Sequence, residues 1–286
     1  MLKIKNILKK IRVTVAAFFM IAVTLLFLDY TGTVHAYIGW CAKVQFIPAF
    51  FAHSFVILVV LILVTLLLGR VYCSTVCPLG IFQDVVSRLA GIRKKNRFSY
   101  RAPRKEFLAL RVALLGVFVL SVIVHITAVT VILEPYSAYG RMVSQIFSPV
   151  YLLGNNILAY FAERIDSYVF YTVDVWIKSV GALGIAVLTF AVVSIFAWKS
   201  GRGYCNTVCP VGTFLGLFAK FSLIKPRINK EKCDNCGVCI KSCKSACIDV
   251  NQKEIDYFRC VTCFNCTGNC SKGAINYTTT ILRKES

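Results

Sequence analysis

The residues best suited to chemistry are the cysteines, of which this 286-residue chain has 14. Two runs near the carboxyl end share the spacing C-x2-C-x2-C-x3-C, namely Cys233, Cys236, Cys239 and Cys243, then Cys260, Cys263, Cys266 and Cys270. Thiolates are soft anionic donors that suit the iron of iron–sulfur clusters. Two-residue spacers let one tight loop reach several corners of a small cluster. The two runs therefore predict iron–sulfur sites.

This spacing is typical of bacterial two-cluster ferredoxins, in which the fourth cysteine of each run binds the other cluster. Disulfides are disfavoured in a reducing cytoplasm, and zinc ribbons use pairs of C-x2-C rather than triplets. The proline that usually follows the fourth cysteine is replaced by Lys244 and Ser271, which we expect to leave ligation intact. We assign Cys233, Cys236, Cys239 and Cys270 to a first [4Fe–4S] cluster, and Cys260, Cys263, Cys266 and Cys243 to a second.

One further cysteine, Cys247, follows the first run. It holds the place that Ala274 holds after the second run. A free cysteine often behaves as a small buried apolar side chain. We therefore expect Cys247 to pack beside a cluster without binding it.

A second cysteine pattern occurs twice, as GRVYCSTVCPLG at residues 69–80 and GRGYCNTVCPVG at residues 201–212. Aligned over 69–84 and 201–216, ten of the sixteen positions are identical. Pro78 and Pro210 disfavour helix at the preceding cysteine but suit the first turn of a following helix. Each cysteine pair is thus predicted on a turn at a helix amino end, where free N–H groups and the dipole favour anions and lower a thiol pKa.

Two interpretations of the repeated motif stay open. Cys73, Cys77, Cys205 and Cys209 supply four thiolates from two equivalent loops, which is the number that one further [4Fe–4S] cluster requires. Alternatively, each pair is a redox dithiol or a structural metal site. A c-type haem requires C-x-x-C-H, which is absent.

The elements that carry these cysteines are apolar. The chain is 57% hydrophobic and 16% charged, whereas soluble domains carry about 25% charged residues. The apolar residues are concentrated in blocks at 13–28, 54–68, 107–133 and 180–198. Each block approaches the ~20 residues that cross a bilayer as a helix, and backbone groups in lipid must be hydrogen-bonded internally. We therefore predict four transmembrane helices.

The formal net charge of +20 is placed in a way that argues against a nucleic-acid partner. Basic residues are concentrated before the first block and between the second and third, while the other two connections are poor in them. This positive-inside pattern predicts that both termini and the ferredoxin domain are cytoplasmic, in a multi-pass protein of the bacterial inner membrane. Anionic lipid is the expected contact of the basic clusters; docking of an acidic partner is the alternative. We expect the first block to be retained rather than cleaved as a signal peptide, because cleavage would spoil the repeat.

The repeated motif extends to its surroundings, and this sets the predicted architecture. Each half has a basic entry, an outward helix, an outer segment, an inward helix and the cysteine motif, which describes two parallel repeats. We predict an α-helical multi-pass membrane protein with a carboxy-terminal α+β two-cluster ferredoxin domain. The first membrane repeat is assigned to residues 1–97, the second to 98–226 and the ferredoxin domain to 227–286.

Four membrane helices, two GRxYCxTVCPxG motifs and the carboxy-terminal ferredoxin spacing resemble the membrane polyferredoxins. That family includes the quinol-dehydrogenase subunit of periplasmic nitrate reductase systems, part of a nitrous-oxide reductase regulator and a cytochrome-oxidase assembly protein. The resemblance covers essentially the whole chain. It implies electron transfer between the quinone pool, or an outer redox partner, and cytoplasmic carriers.

Titratable groups inside a membrane are functional candidates by default. Four residues near the predicted outer ends of the helices, His53, His125, Glu134 and Tyr136, form a candidate quinone site, with His125 and Glu134 accepting protons. The alternative is interfacial anchoring for the tyrosine and ordinary packing for the histidines.

The expected function is therefore that of a membrane-bound iron–sulfur electron-transfer protein with two [4Fe–4S] clusters, and with a third if the repeated motif holds a cluster rather than a dithiol or a structural metal site. We expect it to act as a quinol-dehydrogenase-like component of an oxidoreductase system, with other redox subunits as partners, rather than as a stand-alone enzyme. The alternatives are an electron-donating factor for metal-centre assembly and a redox-sensing membrane regulator.

Overall fold

The computed structural model describes residues 2–29, 31–52, 54–93, 98–100, 105–165, 171–175 and 179–279, and these are mostly helical. The helices are α1 (Leu2–Leu28), α2 (Thr33–Ile38), α3 (Trp40–Lys43), α4 (Phe46–Phe51), α5 (Phe55–Leu68), α6 (Tyr72–Thr75), α7 (Pro78–Arg93), α8 (Lys105–Ile123), α9 (Thr127–Leu133), α10 (Pro135–Met142), α11 (Ser148–Glu163), α12 (Val180–Ser200), α13 (Gly203–Thr207), α14 (Pro210–Ala219), α15 (Val238–Ser242) and α16 (Asn265–Asn269). A π-helical turn, Val143–Phe147, joins α10 to α11. The strands are β1 (Ile224–Ile228), β2 (Ile248–Asp249), β3 (Glu254–Ile255) and β4 (Ile275–Thr279).

Two helical stretches are long and apolar enough to cross a membrane, Ile7–Leu28 within α1 and Val180–Ser200 of α12. Shorter apolar helices are Phe55–Leu68, Leu108–Ile123 and Pro210–Ala219. Large apolar side chains on the long helices point outward, among them Ile21 and Leu188. Exposed apolar faces of this kind suit a lipid environment, in which burial inside protein is unnecessary. The four-helix topology remains a prediction.

The third apolar block was predicted as one helix over 107–133, and this prediction is wrong. Helix α8 ends at Ile123, the backbone turns at His125 with a positive φ of 59°, and α9 begins at Thr127. Helix α9 packs back against α8, and the hydroxyls of Ser121 and Thr130 lie 3.0 Å apart across the turn. The hydroxyl pair stabilises a hairpin that apolar periodicity alone does not reveal.

The segments between the long helices fold back into the protein. After α1, the chain returns along it, so that the ring of Trp40 lies 6.4 Å from the ring of Phe18. Gln45 then accepts a 2.9 Å hydrogen bond from the Tyr72 hydroxyl. In the second half, the Tyr139 hydroxyl of α10 lies 2.6 Å from that of Thr24. Both segments therefore pack close to the repeated cysteine motifs.

The carboxy-terminal part is built on two small antiparallel sheets. Strand β1 pairs with β4, placing Pro226 opposite Tyr277, and β2 pairs with β3. Helices α15 and α16 pack on each other, and each carries one cysteine of a run. The assigned start of the ferredoxin domain at residue 227 stays a prediction, and β1 begins three residues earlier, at Ile224.

Candidate iron–sulfur sites

The cysteines of the two runs surround two separate cavities. Cys233, Cys236, Cys239 and Cys270 line one cavity, which we call the first ferredoxin site. The other cavity, the second ferredoxin site, is lined by Cys243, Cys260, Cys263 and Cys266, together with Cys247. The fourth cysteine of each run thus lies with the first three of the other run, as the ferredoxin spacing requires. Packing of α15 on α16 produces this exchange.

The two ferredoxin sites differ in their surroundings. Cys236 of the first site is exposed, and Cys233 and Cys270 are partly exposed. In the second site Cys243 and Cys266 are buried, and Cys263 packs against the hydrophobic core that contains Cys73, Cys77 and Cys209. The first site therefore faces solvent, whereas the second faces the repeated motifs.

Cys247 lies beside the second ferredoxin site. Its sulfur is 3.4 Å from that of Cys243. Ala274 lines the first site at the corresponding place, which agrees with the expected equivalence of the two positions. The non-ligand role of Cys247 stays a prediction.

The four cysteines of the repeated motifs are all buried; we call Cys73, Cys77, Cys205 and Cys209 the four-cysteine site. Cys73 lies in α6 and Cys77 directly precedes α7, while Cys205 lies in α13 and Cys209 caps α14. Pro78 and Pro210 occupy the first helical positions, as predicted. Gln83 donates to the Cys205 sulfur at 3.1 Å, and the Gly212 amide donates to the Cys209 sulfur at 3.3 Å.

The arginine of each motif reaches across to the other motif. Arg202 donates to the Cys73 carbonyl, and Arg70 donates to the Cys205 carbonyl at 3.5 Å. Arg70 also lies 3.9 Å from the Cys73 sulfur. Both guanidinium groups are fully buried. This exchange explains the arginine that the two motifs share, and it locks the halves together around the four-cysteine site.

The last glycine of each motif permits this close approach. A Cβ atom on Gly80 would lie 2.5 Å from the Cys73 carbonyl oxygen, and one on Gly212 would lie 2.5 Å from that of Cys205. Contacts under 3.0 Å to backbone atoms force the structure to shift. The glycine is therefore required by packing at the four-cysteine site.

A buried carboxylate, Asp84, joins three cations. It contacts Arg202 at 2.9 Å, Lys244 at 2.9 Å and Arg12 at 3.2 Å, and all four side chains are almost fully buried. Burial alone would raise the pKa of Asp84, but the charges of Arg202 and Lys244 hold it well below its ordinary value. With Arg70 nearby, the buried cations outnumber the carboxylate. A positive surplus of this kind suits an anionic thiolate-ligated cluster, because buried charge needs a counter-charge.

The ferredoxin part docks on both motifs through backbone carbonyls. Arg202 donates its amide to the Lys244 carbonyl at 3.0 Å, and Arg70 donates to the Phe258 carbonyl at 2.9 Å. Thr262 donates to the Leu68 carbonyl at 3.1 Å. We call this contact the seam. It brings the loops of the second ferredoxin site onto the four-cysteine site.

Sequence reasoning missed the residues that orient the seam. Lys244 replaces the usual proline and pairs with Asp84. The position equivalent to Asp84 is Gly216, where a Cβ would lie 2.9 Å from the Phe258 carbonyl oxygen. The missing proline, and the Asp-to-Gly difference between the repeats, were the signals that could have revealed this asymmetry.

The pKa shifts of three of these thiols bear on the interpretations of the repeated motif. Burial, followed by repulsion from Cys205 and Cys73, raises the pKa of Cys77, and burial likewise raises those of Cys205 and Cys209. The expected lowering at a helix amino end is thus wrong, because burial outweighs the amide hydrogen bond to Cys209. A reactive dithiol needs a lowered pKa, so the raised pKa values of Cys77, Cys205 and Cys209 favour the cluster interpretation over the dithiol one.

The donor set fits a cluster better than a single ion. Among the described residues, no three His, Cys, Asp or Glu side chains converge on one metal-ion position. A [4Fe–4S] cluster instead takes one thiolate at each of four irons. Four buried cysteines, hydrogen-bond donors to sulfur and surplus positive charge meet that requirement. The four-cysteine site therefore fits an iron–sulfur cluster.

The candidate quinone residues fall in three places. His53 lies outside the described residues. His125 is exposed at the turn between α8 and α9. Glu134 is buried and accepts a hydrogen bond from Ser137 through Oε2, and no described residue is a hydrogen-bond partner of its Oε1. Tyr136 packs against the core that contains Tyr72 and Cys73. The structure thus brings Glu134 and Tyr136, but not His125, toward the four-cysteine site.

Comparison with known proteins gives a consistent result. A family described as a 4Fe-4S binding domain matches residues 50–97 and 181–231, and each match contains one repeated motif. An uncharacterized protein of Methanocaldococcus jannaschii is 25% identical over 95% of both chains. The putative electron transport protein YccM of Escherichia coli is 24% identical over 78% of this chain and 55% of its own length.

The ferredoxin-type protein NapH of Haemophilus influenzae is 24% identical over 74% of this chain and 63% of its own length. The chain thus spans less than two thirds of YccM and NapH. No solved structure matches it. With two 4Fe-4S binding domains and ferredoxin-type relatives, this chain is related to iron–sulfur electron-transport proteins, and its resemblance to the membrane polyferredoxins is confirmed.

Proposed function

We propose that this protein passes electrons from the membrane to the cytoplasm along a chain of three [4Fe–4S] clusters. One cluster is held by the four-cysteine site, the next by the second ferredoxin site and the last by the first ferredoxin site. Electrons enter from quinol, or from a membrane or periplasmic redox partner, and leave to a cytoplasmic carrier. The protein crosses the membrane four times, with both termini and the ferredoxin part on the cytoplasmic side.

The observation that carries this proposal is the seam. Cys263 of the second ferredoxin site packs against the core that holds Cys73, Cys77 and Cys209. The exposed Cys236 places the first ferredoxin site at the surface, where a soluble partner has access. An electron relay needs cluster sites that lie one after another between a buried donor side and an exposed acceptor side. The four-cysteine site is buried, the second ferredoxin site is intermediate and the first ferredoxin site is exposed, so the three sites have this order.

The matched family supports the third cluster. The 4Fe-4S binding domain covers the repeated motifs rather than the carboxy-terminal runs, so the motif regions are themselves related to cluster-binding sequences. The donors to the sulfurs of Cys205 and Cys209 would stabilise added negative charge on reduction, because hydrogen bonds to sulfur help to set cluster potentials.

At the membrane end, Glu134 and Tyr136 are the proposed contacts of a quinone. Oxidation of a quinol releases two electrons and two protons, so a relay that carries electrons alone must leave the protons elsewhere. The carboxylate of buried Glu134, whose Oε1 has no hydrogen-bond partner among the described residues, is a suitable acceptor for one of the two protons, and the other passes to water at the outer surface. We expect Glu134→Gln to slow reduction by a quinol and to leave reduction by dithionite unchanged.

The relay is tested by removing ligands of the four-cysteine site, which holds the first cluster to receive electrons. The holoprotein, in lipid nanodiscs without oxygen, is reduced either with menadiol or with dithionite while the visible absorbance of the clusters is followed. We expect Cys73→Ser with Cys205→Ser to abolish reduction by menadiol but to leave reduction of the ferredoxin clusters by dithionite. Cys41→Ser, at a buried cysteine outside all three sites, is the matched control. Reduction of the double variant by menadiol at the wild-type rate would overturn the relay.

A further inference from the structure

An apolar groove lies beside the seam. It has a volume of about 460 Å³, within the ~300–1,000 Å³ range of small-molecule sites. Leu8, Ile11 and Val15 of α1 form one wall, and Leu68, Phe264 and Tyr277 contribute to the others. The groove therefore opens where the amino end of α1 meets the ferredoxin part.

One polar group in this apolar wall is incompletely satisfied. Arg12 lines the groove and is almost fully buried, yet its Nε atom has no hydrogen-bond partner within the part of the chain that the structure describes. Its guanidinium shares Asp84 with Arg202 and Lys244, and its contact is the longest of the three. One carboxylate cannot neutralise three cations. Arg12, the cation farthest from the carboxylate, thus brings an unsatisfied donor to the apolar surface of the groove.

The surroundings add to this charge. Lys9 follows the groove residue Leu8 in α1 and is partly exposed. Basic groups at a membrane surface attract anionic lipid headgroups by about 1 kcal/mol each. An apolar trough with cations at its edge is complementary to an amphipathic anion.

We propose that the groove binds one anionic phospholipid. The phosphate lies toward Arg12 and Lys9, and an acyl chain lies against Ile11, Leu68 and Phe264. The lipid completes the apolar wall beside the motif residues Val71 and Thr75 and beside Thr262 of the seam. It therefore keeps water from the junction between the four-cysteine site and the second ferredoxin site. This site is independent of the electron donor and of the quinone contacts.

The experiment measures lipid retained by the holoprotein. Protein from nanodiscs of phosphatidylglycerol, or of phosphatidylcholine with the same acyl chains, is transferred to mild detergent, and bound lipid is counted by native mass spectrometry. We expect one phosphatidylglycerol to be retained per chain. Retention of phosphatidylcholine should be at least about fivefold lower, because the attraction of one basic group for an anionic headgroup, about 1 kcal/mol, corresponds to about a fivefold difference in affinity.

A matched pair of variants locates the site. Ile11→Glu places a carboxylate in the groove, at a residue that is 54% exposed, and we expect it to remove the bound lipid. Ile7→Glu changes a residue one turn earlier that is 51% exposed and outside the groove, and we expect it to retain the lipid. Unchanged cluster absorbance in both variants shows that they are folded.

Several results would overturn the proposal. They are retention of no lipid by the wild type, equal retention of the two headgroups, and equal effects of the two variants. Recovery of a quinone in place of phospholipid, identified by solvent extraction, would assign the groove to a different ligand and would equally reject it. The headgroup comparison needs no variant, so it stands even where a substitution disturbs folding.

Discussion

The buried carboxylate of Asp84 provides the sharpest test of how the ferredoxin part is held on the apolar helices. Asp84→Asn keeps the shape of the side chain but removes its charge. Arg12, Arg202 and Lys244 would then lack a carboxylate partner. Removing one partner from a buried ion pair costs about 3–5 kcal/mol, because the remaining charge stays desolvated. We expect a loss of that size in the free energy of unfolding.

This loss can be expressed as a shift in thermal midpoint. For chains of 150–250 residues, 1 kcal/mol corresponds to about 2–4 °C, so Asp84→Asn should lower the midpoint by roughly 6–20 °C. The assay follows the visible absorbance of the clusters during anaerobic heating in detergent. All variants are heated at one scan rate, because irreversible unfolding makes the midpoint depend on that rate.

The matched control is the exposed pair of Asp234 and Lys272, whose charged atoms are 3.9 Å apart. Exposed pairs contribute about 0–1 kcal/mol, so Asp234→Asn should change the midpoint by at most a few degrees. Asp84→Asn combined with Lys244→Gln removes one unpaired cation and should cost less than the sum of the two single changes. Equal midpoints for Asp84→Asn and Asp234→Asn would refute the reasoning.

Three further outcomes follow from the same contacts. Gly80→Ala should lose about four irons per chain, because its Cβ would lie 2.5 Å from the Cys73 carbonyl oxygen. Gly154→Ala, whose Cβ would have no described atom within 4 Å, should keep all iron by chemical analysis. Gln83→Leu removes the hydrogen-bond donor to the Cys205 sulfur. Redox titration should then show the reduction potential of the cluster in the four-cysteine site lowered by about 20–60 mV, which is the equivalent of one hydrogen bond. An unchanged potential would contradict a cluster at this sulfur. Because charges hold the pKa of Asp84 well below its ordinary value, its stabilisation is complete above the unfolded-state pKa of about 4 and is lost as pH falls toward the folded-state pKa. The midpoint difference between wild type and Asp84→Asn should therefore stay constant from pH 5 to 8 and shrink in stronger acid; a gap that closes near pH 6 would contradict this.

The loops that carry the first three cysteines of each run could be expected from the sequence because their spacing is local, whereas the exchange of the fourth cysteines between the two cavities followed from the ferredoxin precedent. Runs with fixed two- and three-residue spacers produce tight loops whatever the rest of the chain does. Pro78 and Pro210 marked the starts of α7 and α14 for the same reason, since proline restricts its own φ angle and the residue before it. Features that depend on a few neighbouring residues were thus predictable.

The contacts between the halves were not predictable, because they join residues distant in the chain. Arg202 meets Asp84 across 118 positions, and Arg70 meets Asn206 across 136. Periodicity and spacing contain no information about such pairs. The repeat indicated that the motifs are equivalent, but the equivalence is broken where Asp84 in one half corresponds to Gly216 in the other.

The outer segments show a second limit. Apolar composition predicted a single helix through 107–133, but a hydroxyl pair and the turn at His125 fold α9 back on α8. In the first half, the separate return of the chain after α1 brings Gln45 to Tyr72, and in the second half Tyr136, which follows α9, packs on the core around Cys73. An apolar block indicates that a segment lies in protein or lipid rather than in water. It does not indicate where the segment turns, because the path of the chain depends on packing against other helices.

The central claim is that the repeated motifs hold a cluster, and the most direct test is an iron count. The protein is purified without oxygen in mild detergent, iron and sulfide are measured per chain, and EPR spectra are recorded on reduction. Three [4Fe–4S] clusters predict about twelve irons, falling to about eight in Cys73→Ser with Cys205→Ser. About eight irons in the wild type, with both ferredoxin clusters at full EPR intensity, would contradict the claim and leave the four-cysteine site without a cluster.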